Sequence, residues 1–97
     1  MTLPELYLTV RWPDASQSRA YSPSSIVADY FAPGETLTVA DFTARAAASM
    51  QAASDRVQAR YGFACSRAAA TLDELQTRAA RYAEQADAQV TIVEIGR

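Results

Sequence analysis

Apolar residues recur along this chain with two different periods, and the change of period divides it into elements. From Glu5 to Trp12 the pattern alternates, with Leu6, Leu8, Val10 and Trp12 on one side and Tyr7, Thr9 and Arg11 on the other. Period two predicts a strand with one buried face. The WPDAS that follows predicts a turn, because Pro13 presets φ and Asp14 can bond the backbone ahead. A return strand over about Ser18–Ser22 pairs antiparallel with the first. Its register is open by one residue, and the choice decides whether Ala20 or Tyr21 meets the core. Ser22-Pro23 reads as an N-cap and first helical position, opening a short helix that reaches Phe31. Pro33-Gly34 ends that helix, and Glu35 to Val39 reads as an extended loop.

Beyond Asp41, expected to cap the next helix, the spacing becomes helical. Phe42, Ala46, Met50, Ala53, Val57 and Tyr61 form one stripe at steps of four and three, closed by Gly62 as a residue able to take positive φ. Ser66 is placed as the cap of a further helix with the stripe Ala69, Leu72, Leu75, Ala79, Tyr82 and Ala86. Two such helices joined tightly make an antiparallel hairpin whose alanines allow close approach. Val90 to Ile95, VTIVEI, is short and β-branched, a last strand.

The expected order is β-β-α-α-α-β, an α+β fold in a single domain over 1–97. A small, mainly antiparallel three-stranded sheet is covered on one face by the helical hairpin. The final strand is placed at a sheet edge, open to strand addition.

Composition restricts the chemistry more than it suggests any. A chain of 97 residues fits one core. One cysteine closes no intrachain disulfide, which points to a reducing, cytoplasmic setting, and the start MTLPELYLTVRWP lacks the build of a secretory signal. No apolar run approaches the roughly 20 residues of a membrane-spanning helix. The chain has no histidine, which removes the commonest base and metal ligand, and its three glycines stand far apart rather than in a phosphate-binding loop. No cofactor or metal is expected. Nine arginines and no lysine stand against eleven carboxylates, a net charge of −2 that disfavours nucleic-acid binding. The absence of lysine fits an Ala-rich compositional bias better than a recognition role. The pairs Asp41–Arg45 and Glu74–Arg78 fit i,i+4 spacing on solvated helix faces.

Three groups of residues carry candidate chemistry. Cys65 stands at or beside a helix N-terminus next to Arg67, a setting that favours a thiolate. The apolar run Phe63-Ala64-Cys65 favours packing at a helix corner instead, because no resolving cysteine or base accompanies it. Ser66 and Arg67 at the same helix start could hold an anion such as phosphate or carboxylate. Tyr7, Thr9, Arg11, Arg19 and, in one register, Tyr21 share the sheet face away from the helices. Tyr and Arg there resemble the side chains enriched at interfaces, although an ordinary solvated face accounts for them equally well.

LTVRWPD (Leu8 to Asp14), AYSPSSIVADYF (Ala20 to Phe31) and RYGFACSRA (Arg60 to Ala68) together resemble the nitrogen-starvation-response proteins, over Leu6 to about Ile92. These are small bacterial chains encoded beside a nitrilase, a radical-SAM protein, an acetyltransferase and a flavoprotein. The resemblance implies a cytoplasmic accessory protein of nitrogen acquisition and carries over no active-site residue. The family's turn reads WPDG, whereas here Ala15 follows Asp14, which calls into question a turn needing positive φ at that position.

The first expectation is therefore a noncatalytic, homo-oligomeric partner-binding protein working with the products of that gene neighbourhood. The second is a thiol-dependent enzyme or small-molecule carrier using Cys65 with Ser66 and Arg67. A third is a regulatory RNA binder using Arg11, Arg19 and Tyr21.

Overall fold

A computed structural model of the chain describes residues 6–23, 25–62, 66–85 and 87–96. Its elements run β1 (Leu6–Arg11), β2 (Gln17–Ser22), α1 (Val27–Tyr30), β3 (Thr36–Thr38), α2 (Val39–Tyr61), α3 (Ser66–Ala80) and β4 (Gln89–Gly96). The fold is α+β, with helices on an antiparallel sheet. The sheet has four strands rather than three, in the order β2-β1-β4-β3.

Two expectations change together. The segment assigned to a loop before α2 is the short strand β3, whose Leu37 is buried opposite Val90 of β4. With β1 on its other side, β4 is flanked by strands on both sides as far as Ile92 rather than lying at an edge of the sheet as expected. Among the described strands, β2 and β3 lie outermost. Pairing beside β3 is prolonged by Gly34 N–H to the Ile92 carbonyl (2.7 Å) and Ile92 N–H to the Glu35 carbonyl (2.8 Å). A shift of register between Thr9 and Val10 bulges β4 near Val93, which is left exposed.

The alternation of β1 is kept: Leu8, Val10 and Trp12 are buried and Arg11 is exposed. Leu8 faces Ala20 across the β1–β2 ladder and Tyr7 faces Tyr21, which settles the open register with Ala20 inward. Because Ser22 pairs with Leu6, it belongs to β2, and the N-cap of α1 is Ile26 instead. The first helix is accordingly only four residues long.

Thr38, not Asp41, caps α2, its hydroxyl accepting the Asp41 N–H at 3.1 Å. Phe42, Ala46, Met50, Ala53 and Val57 are buried along α2, whereas Tyr61 is exposed. Gly62 ends the helix at φ +83° with its N–H on the Gln58 carbonyl. On α3 the buried residues are Ala68, Thr71, Leu75 and Ala79, so the stripe begins one residue earlier than the spacing of apolar residues implied. Ser66 stands within α3 as its first residue, and Ala86 lies outside the described residues. Neither expected i,i+4 ion pair forms among the described residues. Arg45 instead binds Glu35 at 2.7 Å and the Tyr30 carbonyl at 3.2 Å, fastening the loop before β3 to α2.

The core gathers around Trp12. Its ring stacks on Tyr82 (centroids 6.1 Å apart, planes at 12°) and meets Phe42 edge-on at 5.5 Å, and Phe42 in turn touches Phe31. Its indole N–H donates to Ser18 Oγ at 2.8 Å, so the one polar atom of the ring is satisfied.

The turn after Trp12 is built from side chains. Asp14 accepts from the Ser16 hydroxyl (2.5 Å) and the Ser16 N–H (3.0 Å), and Arg78 of α3 donates to the same hydroxyl. The Ser16 hydroxyl first, then the Ser16 N–H, Tyr82 and Arg78, hold the Asp14 carboxyl below the ordinary aspartate range. Ala15 adopts φ +72°, so the turn keeps the left-handed position that glycine usually fills.

Two predictions come from this turn. Ala15→Gly relieves a Cβ strained in the left-handed region and should raise stability by about 1 kcal/mol, seen as a higher urea midpoint with unchanged slope. Because the Asp14 pKa is lowered on folding, its support is complete above the ordinary value of about 4 and is lost as pH falls through the folded value. Urea midpoints at about pH 7 and pH 3 should therefore differ less in Asp14→Asn than in the parent chain.

Candidate functional site

Every described helix packs on the side of the sheet where Leu8, Val10, Ala20, Val90 and Ile92 are buried. The opposite side carries the odd-numbered residues of β1 and β2, because side chains alternate along a strand. Tyr7, Thr9 and Tyr21 are half-buried there, while Arg11 and Arg19 are exposed. The five residues expected to share this face do so.

They form an ordered array rather than a loose polar surface. Tyr7 and Tyr21 stand directly opposite each other, with ring centroids 5.8 Å apart and planes at 69°. Arg19, the diagonal neighbour of Tyr7 across the ladder, lays its guanidinium over the Tyr7 ring with Cζ 3.9 Å from the centroid. Arg67 reaches from the start of α3, round the outer edge of β2, to place its Cζ 3.7 Å from the centroid of Tyr21. Arginine, tyrosine, tyrosine and arginine thus run across the edge of the sheet in contact.

Arg67, expected in an anion site beside Ser66 and Cys65, therefore joins the tyrosine face. Ser66 is exposed next to it, and Cys65 lies outside the described residues. A guanidinium seated on a ring keeps its N–H edge for a carboxylate or phosphate, and the ring fixes its direction. Among the described residues the one ion pair is Arg45–Glu35, so neither Arg19 nor Arg67 spends its charge on a carboxylate there. Thr9 lies beside Arg19 on the ladder, and Arg11 completes the row next to Gln17.

A second cluster was not foreseen. Arg78, assigned to a solvated helix face, turns inward instead. It donates to Ser16, sets its Cζ 5.5 Å from the Trp12 ring centroid, and keeps a buried Nε with no acceptor. The available signal was its position beside Ala79 in the α3 stripe. Its contacts fasten the β1–β2 turn to α3, a structural task.

Two concavities flank these features. One, of about 550 Å³, lies between α2 and the end of α3 and is lined largely by alanines with Val39 and Tyr82, with no carboxylate or guanidinium. The other, of about 520 Å³, lies between β2 and α3. Among the described residues, no three His, Cys, Asp or Glu side chains gather to hold a metal ion, and no helix is long and apolar enough to cross a membrane.

A family model described as nitrogen starvation-induced protein NitG matches residues 7–95. No curated protein and no solved structure matches the chain.

Proposed function

The chain belongs to the family of the nitrogen starvation-induced protein NitG, and on that premise we propose that it is a noncatalytic, cytoplasmic accessory protein that binds another protein through the tyrosine–arginine face of its sheet. The observation that carries this reading is the array Arg67–Tyr21–Tyr7–Arg19. Its rings offer area at little entropic cost, and its guanidiniums are held in place before any partner arrives. The partner is a protein surface bearing carboxylates. Products of a shared gene neighbourhood, namely a nitrilase, a radical-SAM protein, an acetyltransferase or a flavoprotein, are the first candidates, and the chain acts as a homo-oligomer. The thiol-based alternative depends on Cys65, which lies outside the described residues.

Capture of the tagged chain from nitrogen-limited cells, followed by mass identification, tests the proposal. A specific companion is expected. Purified, it should bind the double variant Arg11→Glu/Arg67→Glu at least about 30-fold more weakly, the effect of losing a contact worth about 2 kcal/mol. Equal binding by parent and variant, or capture of no companion, would overturn the proposal.

A further inference from the structure

The outer edge of β2 at Gln17 and Arg19 offers a second surface. The Trp12 N–H donates to the Ser16 carbonyl at 2.8 Å, and this bond fixes the phase of the ladder. In an antiparallel pair, hydrogen-bonded and non-hydrogen-bonded positions alternate. In the observed register Val10–Ser18, Leu8–Ala20 and Leu6–Ser22 are then the bonded pairs. The backbone N–H and C=O of Gln17 and Arg19 point the other way, out of the sheet.

Arg19 lines the concavity of about 520 Å³, whose walls include Ser18 and Ala20 of β2 and Asp73, Glu74 and Thr77 of α3, together with Arg78. Asp73 and Glu74 are exposed and form no ion pair among the described residues. The cations nearby are turned elsewhere: Arg19 lies over Tyr7, and Arg78 is engaged with Ser16 and Trp12. The groove therefore combines outward backbone donors and acceptors with two uncompensated carboxylates along one wall.

We propose that this groove is a strand-addition site for an extended segment of another protein that carries Lys or Arg at alternate positions. A strand laid along β2 would take its hydrogen bonds from Arg19 and Gln17. Because its side chains alternate, every second one faces the helix layer and meets Asp73 and Glu74, while those between lie on the side of Tyr21 and Arg19. The first set selects for positive charge. A second copy of this chain is the wrong occupant. Its β2 would send Ser18, Ala20 and Ser22 toward α3, no cation among them, and would bring its own Asp73 and Glu74 against the first pair.

The test uses a fluorescein-labelled eight-residue peptide of alternating lysine and valine, with a glutamate–valine peptide as control. The lysine peptide should bind the intact chain at least tenfold more tightly than the control. It should bind the double variant Asp73→Asn/Glu74→Gln at least tenfold more weakly than the parent. Bound peptide should also slow hydrogen exchange of the Arg19 amide, a change that simple attraction to an acidic surface would not produce. No binding of the lysine peptide, binding unchanged in the carboxylate variant, or binding without protection of the Arg19 amide would each overturn the proposal. Asp73→Asn/Glu74→Gln changes α3 and leaves the tyrosine–arginine array intact, so loss of peptide binding in that variant and loss of a captured companion in Arg11→Glu/Arg67→Glu are separate results.

Discussion

Trp12 leaves the end of β1 and sets its ring between Phe42 of α2 and Tyr82 just beyond α3. Strand hairpin and helix pair thereby share one contact, and removing an aromatic ring of that kind from a packed core costs about 3–5 kcal/mol. Against a total stability of about 5–15 kcal/mol for a small domain, this is a large share. The turn that follows obeys the same constraint. Ser16 and Arg78 bind across to hold the hairpin against α3 while the Trp12 ring stays inside. The register of β2 is set close to this anchor, and through it the sidedness of every residue on the outer face.

Arginine gains a meaning from the folded chain that composition alone did not supply. Arg19, Arg67, Arg78 and Arg45 each approach an aromatic ring, whereas one ion pair forms among the described residues. A planar guanidinium stacks on a ring and still presents its edge, and a lysine ammonium would do this less well. Several positions thus make use of what arginine alone offers.

Legibility in the sequence followed the strength of local periodicity. Leu8, Val10 and Trp12 were readable as a buried face because alternation is unambiguous over seven residues, and the α2 stripe because it repeats over five turns. Gly62 was readable because a helix stop needs a left-handed residue. β3 was not, since three residues are too few to show a period and its strand character comes from pairing with β4. The start of the α3 stripe was misplaced because alanine stands at Ala68, Ala69 and Ala70 alike, and Thr71 is buried despite its hydroxyl. The tyrosine–arginine face was visible apart from the place of Tyr21, which waited on register. The contact of Arg67 with Tyr21 was not visible, because a long side chain reaching round a sheet edge leaves no trace in spacing.

The strand order has a consequence for how the molecule is made. β4 is last along the chain yet lies in the middle of the sheet, giving β1 its second neighbour and β3 its one strand partner. During synthesis the hairpin and the helices emerge with that slot vacant, and two rows of backbone groups await one strand, β3 its first half and β1 chiefly its second. Closure by so distant a segment is slow compared with helix formation and leaves apolar strand surface open meanwhile. The nascent polypeptide thus passes through a stage that invites foreign strands into the seat of its own final one.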